Sequence, residues 1–340
     1  MIEKVVLPFE IRPYCTCYHN LAFPFGAIQG NGKVSKVDVV SWMLRKFTNC
    51  VFDESMPSNK YEICLCDAWG VIDQLTTHQN INFKESTFDL FEIDILNFVK
   101  KLIGTEFYVT GMYNEKYISG KRAFNEYDYW HDYILYGYND VKKVFYSAGF
   151  MKNGKFEQFE IPYENFLASI SNEDKNISFN LHQFNKNAPV KFNVIRITNL
   201  LKDYVNSTTK VGHRLNGFYG IEANVKLKEF FIKCYSDDDY HEIDLRYTRA
   251  FMEHKFFVRL AIFSLYEKKW LELTQEQLDA IDDVYKKAQF IHFLGLKINI
   301  TKNCKTVNRI VEFFESIEKI ELELLPMIIS KLEKNLPETV

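Results

Sequence analysis

Three side chains in this sequence could together carry nucleophilic chemistry: Cys15, Cys17 and His131. A thiol attacks as its thiolate, and a nearby imidazole can take its proton and later deliver it to a leaving group. Cys17 is followed by Tyr18-His19-Asn20-Leu21-Ala22-Phe23, which reads as helix entry, with Pro24 as the expected stop. A thiol at a helix N-terminus faces unsatisfied amides and the positive end of the dipole, which favour thiolate. Cys15 is the competing nucleophile; Cys17 is preferred because the helix entry follows it directly. His19 is too close along the chain to be a rigidly oriented base and is expected to pack near the site. The plainer reading of each residue is burial, since cysteine is among the most buried residue types and a strand histidine is often hydrogen-bonded core.

His131 must be positioned by the elements around it. Trp130-His131-Asp132-Tyr133-Ile134-Leu135-Tyr136-Gly137-Tyr138 reads as a strand, with a tight turn from Tyr138 to Lys142 and a return strand from Lys143 to Gly149. Phe107 to Tyr113 is a strand ahead of it, and Phe156 to Ile161 one behind it. Tyr61 to Trp69 is apolar and cysteine-rich, like a buried strand. Apolar residues at helical spacing mark Val37 to Phe47 and Phe88 to Ile103, the latter ending at Gly104, and Pro162 opens a short helix through Ile170.

The pattern changes near residue 172. Beyond the polar stretch Ser171 to Lys175 come amphipathic segments at Val194 to Asn206, Val225 to Cys234, Asp244 to Lys268, Thr274 to Leu294 and Thr306 to Lys334. Thr274-Gln275-Glu276-Gln277 is a capping box ahead of one of them. The expectation is an α+β fold with two domains, a catalytic one at 1–172 and a helical bundle at 173–340. The acidic runs Asp237-Asp238-Asp239 and Glu318 to Glu323 read as solvated surface.

Bulk properties narrow the classes. Apolar residues make up 47% of the 340 residues and only 14 are glycine, so the chain can build a core and is not a disordered one. A formal net charge of -3 supplies no basic field for nucleic acid. No apolar run reaches membrane-spanning length and no signal-peptide core opens the chain, so no membrane partner is expected. Seven cysteines fit reduced cytoplasmic thiols. Cys15-x-Cys17 and Cys64-x-Cys66 lack the two-residue spacing of a zinc knuckle, so neither metal nor cofactor is expected.

Cys17-Tyr18-His19-Asn20, the stretch Tyr108 to Ile118 and the stretch His131 to Asp140 together resemble the butirosin-acyltransferase-like branch of papain-like cysteine enzymes. The resemblance covers about residues 10 to 170 and implies a papain-like cysteine-protease fold in that half. It further implies ATP-independent transfer of an acyl group from the phosphopantetheine thioester of an acyl or peptidyl carrier protein to a small amine or diamine, in nonribosomal peptide or related secondary metabolism. Papain-like enzymes orient the histidine with an Asn or Asp on the next strand. Here the corresponding position holds Ser147, so Ser147, Asp132, Asp140 or a residue from elsewhere must serve, or the site works as a dyad. The glutamine such enzymes place upstream for an oxyanion hole is absent near Glu10 and Ile11, which leaves backbone amides for that task. Phe23, Phe25, Trp130 and Tyr133 are expected as dry walls, and Lys100-Lys101 or Lys116 to Arg122 as a basic dock for an acidic carrier. Two other outcomes remain open: a non-catalytic carrier-binding protein, and a thioesterase or peptidase that uses water as acceptor.

Overall fold

The computed structural model describes residues 3–54, 60–63, 67–170, 176–208, 217–236 and 244–336. In chain order its elements are β1 (Lys4–Val6), α1 (His19–Ser35), α2 (Val39–Leu44), β2 (Cys50–Asp53), β3 (Lys60–Ile63), β4 (Thr76–Lys84), α3 (Glu85–Leu90), α4 (Ile95–Gly104), β5 (Phe107–Asn114), β6 (Trp130–Asn139), β7 (Val144–Phe150), β8 (Phe156–Pro162), α5 (Tyr163–Ile170) and β9 (Asn176–Phe184). They continue with α6 (Val194–Val205), β10 (Gly217–Tyr219), α7 (Gly220–Ser236), α8 (Leu245–Glu267), α9 (Gln275–Thr301) and α10 (Val307–Asn335). The chain is thus a mixed α/β protein with an antiparallel sheet and C-terminal helices. No helix among the described residues is long and apolar enough to cross a membrane.

Two compact units divide these elements. The first takes residues 1–39 and 67–190, and the second takes 40–66 and 191–340. The expected boundary at 172 therefore moves to 190. The reason is β9, which pairs with both β4 and β5 and so belongs to the sheet of the first unit. The second correction is that 40–66 joins the C-terminal helices, because β2 and β3 form a small antiparallel sheet with β10.

The first unit is built on one antiparallel sheet in the order β4-β9-β5-β6-β7-β8, with β1 paired beyond the register of β5 against β6. The expected hairpin is present as β6 and β7, with a register shift between Leu135 and Gly137. Val109, Tyr133, Leu135, Phe145, Phe166 and Phe179 are buried in its core. The single helix expected from Phe88 to Ile103 is two. Glu92 takes a left-handed φ of 52°, and Asp94 starts α4 afresh by accepting from the Asn97 N–H at 3.1 Å.

Pro24 does not stop the first helix but lies inside α1. The missing N–H removes the bond to the carbonyl of Asn20, an exposed first-turn position where water can replace it. What α1 needs is closeness. A Cβ at Gly30 would stand 2.6 Å from the Phe9 backbone nitrogen and 2.7 Å from the Phe9 Cα. Alanine favours a helix interior over glycine by about 1 kcal/mol, but pushing on backbone costs about 1–3 kcal/mol. Gly30→Ala is therefore expected to lower the denaturation midpoint, and an unchanged or raised midpoint would mean that segment 7–10 is not pinned to α1.

In the second unit the periodic segments are helices, with Thr274 and Gln277 forming the capping box of α9. That helix runs past the expected Leu294 to Thr301. Asp237-Asp238-Asp239 lies outside the described residues. Glu321, expected on a solvated face, is instead buried at 1% exposure.

Candidate active site

Cys15 and Cys17 lie in the irregular stretch just before α1, whose N-cap is Tyr18 in extended backbone. Cys17 thus stands one residue ahead of the cap, not inside the first turn. Both thiols are fully buried, with their sulfurs 3.6 Å apart. Cys64 and Cys66, the other cysteine pair, lie outside the described residues. His19 opens α1, and its ring centroid is 4.4 Å from that of His131. Its Nε2 also accepts the Phe150 backbone N–H at 3.2 Å.

The β5–β6 ladder sets Tyr113 opposite His131 and Asn114 opposite Trp130. The next residue along, Glu115, is therefore delivered beside His131, and its Oε1 lies 3.0 Å from His131 Nδ1. The turn holding Glu115 is fixed: its N–H donates to the Tyr129 carbonyl at 2.8 Å, and the Asn114 side chain accepts from the Lys116 and Tyr129 amides. Glu115 is buried, whereas the His131 side chain is about one-third exposed, at 34%. A carboxylate on Nδ1 leaves Nε2 as the working nitrogen.

Ser147 does not perform this task. It pairs with Leu135 across the hairpin, and its hydroxyl donates to the Ile134 carbonyl at 2.8 Å. Asp140 accepts from Lys100 and Tyr163, each at 2.9 Å. Asp132 is next in chain to His131, so strand alternation directs it to the opposite face. The carboxylate beside His131 precedes it by 16 residues, on a turn, whereas the sequence points to the strand after it. The available signal was the pairing itself: a strand ending at Asn114 opposite one starting at Trp130 brings Glu115 alongside His131.

Lys121 falls within the expected surface patch Lys116 to Arg122 but does not lie on the surface. It is buried at 2% exposure, with Nζ 3.8 Å from Glu115 Oε1 and donating to the Phe150 carbonyl at 2.7 Å. Burial pulls its ammonium down to about 8 despite the opposing pull of Glu115. The remaining patch is partly neutralised, with Lys116 on Asp128 at 3.3 Å and Lys100 on Asp140 at 2.9 Å.

The first unit also holds a cavity of about 620 Å³, whose lining includes neither His131 nor either thiol. It is lined by both chain neighbours of His131, Trp130 and Asp132, and by Phe23, Tyr133 and His182. Of the expected aromatic walls, Phe25 is absent from the lining and fully buried. Burial raises the Asp132 carboxyl above its ordinary range, against the pull of His131. The Tyr133 hydroxyl is buried with no hydrogen-bond partner among the described residues. His182 stacks on Trp69 at 3.6 Å, and its burial lowers it to about 3, so it is neutral at physiological pH.

No family model matches the sequence, and no curated protein matches it.

Proposed function

We propose that the first unit is a papain-like acyltransferase with Cys17 as nucleophile, His131 as acid–base and Glu115 as its orienting carboxylate. The Glu115–His131 contact at 3.0 Å carries this reading, because it is the carboxylate–imidazole arrangement that thiol acyl transfer uses. In the first step the Cys17 thiolate attacks the thioester carbonyl of an acyl chain on a carrier's phosphopantetheine. The carbon–sulfur bond to the carrier breaks, and His131 Nε2, which took the Cys17 proton, delivers it to the departing carrier thiolate. In the second step a small amine or diamine attacks the enzyme thioester, its proton passes to His131, and the Cys17 thiolate leaves. The thioester supplies the driving force, so the reaction is ATP-independent. The cavity lined by Trp130 and Tyr133 favours the amine over water by restricting bulk solvent and holding the acceptor close.

The full burial of both thiols favours a second reading, a carrier-binding protein without a covalent step. One measurement separates the two. The protein, its Cys15→Ala and its Cys17→Ala forms are each mixed with an acyl thioester of a carrier protein, and both their intact masses and their binding of the carrier are recorded. An acyl adduct lost only in Cys17→Ala is expected. Loss only in Cys15→Ala would transfer the role, and no adduct on any form, with carrier still bound, would leave the binding reading. Free acid in place of amide across a panel of amines would make the enzyme a hydrolase.

A further inference from the structure

His131 and four other groups close into a ring. His131 Nδ1 meets Glu115 Oε1 at 3.0 Å, and the same oxygen lies 3.8 Å from Lys121 Nζ. Lys121 donates to the Phe150 carbonyl at 2.7 Å, and the Phe150 N–H donates to His19 Nε2 at 3.2 Å. The His19 ring then packs on His131 with centroids 4.4 Å apart. Two of these groups, Glu115 and Lys121, are deeply buried ions of opposite sign.

We infer that Lys121 is a positioning residue whose ammonium compensates the buried Glu115 carboxylate that holds His131. The argument is charge balance. A carboxylate beside a neutral imidazole is a net charge of minus one, and burial penalises it unless a cation compensates. Lys121 is that cation, and with it the three groups sum to zero. Without it the pair becomes neutral most readily by binding one more proton, shared between Glu115 and His131. The other ionisable groups near this ring are Tyr113 from β5, whose ring centroid is 5.8 Å from Lys121 Nζ, Tyr129, whose ring centroid is 5.5 Å from that of His131, and Asp132, whose carboxyl feels His131 although strand alternation turns it to the other face. None of them carries a positive charge that could replace the ammonium while His19 is neutral. The Phe159 ring, 4.6 Å from Nζ, stabilises the charged form in place of water.

The inference concerns the site of the proposed transferase, yet it is tested without any turnover. The ring-nitrogen shifts of His131 are followed by NMR against pH in the full chain and in Lys121→Met. The protonation midpoint of His131 is expected to rise by about one unit or more in Lys121→Met. Adding Glu115→Gln to that variant should bring the midpoint back down, because the charge needing compensation is gone. A midpoint unchanged in folded Lys121→Met overturns the inference, as a purely structural lysine would leave it in place. Should Lys121→Met not fold, the unaltered chain gives the answer: His131 shifts should show a second inflection on the alkaline side, wherever the Lys121 Nζ shift itself shows that the ammonium loses its proton. Flat shifts there would refute the coupling. If the acyl-transfer reading fails, no adduct forms but the NMR result stands; if this inference fails, the adduct forms and its acid limb is unmoved by Lys121→Met.

Discussion

Glu321→Gln is expected to destabilise the helical unit by about 3–5 kcal/mol, the range for stranding one partner of a buried ion pair. Both oxygens of Glu321 accept from Lys255, at 2.9 and 2.8 Å, and both side chains are essentially without solvent exposure. The Tyr204 hydroxyl joins them, donating to Glu321 at 2.6 Å while accepting from Asn224 at 2.7 Å and from Lys255. Asn224 in turn accepts from the Tyr61 hydroxyl at 2.7 Å, and burial pushes the neighbouring Cys50 thiol up to about 12. Lys255 Nζ also sits 4.9 Å from the Tyr204 and Phe251 ring centroids. A glutamine keeps the shape and can still accept from Tyr204, so the substitution isolates charge. It leaves an ammonium buried among rings and amides with no counter-ion. Replacing both ions, Lys255→Met with Glu321→Leu, should cost far less than either single change, since desolvation of both charges disappears with their attraction. Chemical denaturation of Glu321→Gln, Lys255→Met and the double variant decides it; a Glu321→Gln loss under about 1 kcal/mol would show that water reaches Lys255.

This network also shows where sequence reasoning stops. Glu321 stands in Glu-rich helix sequence, and charge runs on helices usually face water. Only the fold reveals that Lys255 on α8 and Tyr204 on α6 meet it. Elements with strong local signals were legible: the β6–β7 hairpin from its turn, α9 from its capping box, α4 from its apolar face. Strands β4 and β9 were not, because Thr76 to Lys84 is polar and largely exposed and its partner must come from a hundred residues away. The same limit applies to the candidate site. Cys17 and His131 are visible as residue types in a plausible order. Glu115 and Lys121 become visible only when strand register and burial are known, because a glutamate and a lysine on a short turn otherwise read as surface.

His131→Ala is expected to lower acyl transfer by about 10²–10⁴-fold, the usual contribution of a positioned acid–base group. The residual rate should climb with pH, because hydroxide can then form the thiolate and deprotonate the acceptor amine without the imidazole. Glu115→Gln should give a smaller loss, since an amide can still hold Nδ1 but cannot stabilise an imidazolium. Ser147→Ala should leave turnover close to normal, because its hydroxyl serves the Ile134 carbonyl and not the imidazole. The ordering of these three variants is more informative than any one of them. A histidine that merely fills space against His19 and Tyr129 would tolerate glutamine at position 115, and the pH dependence of the residual rate would match that of the unaltered chain. A Glu115→Gln variant as slow as His131→Ala, with thermal stability intact, would mean that the carboxylate itself takes part in proton transfer. Rates of amide formation at several pH values, with the acyl-enzyme mass followed in parallel, distinguish these cases, since a defect in the first step removes the adduct and a defect in the second lets it accumulate.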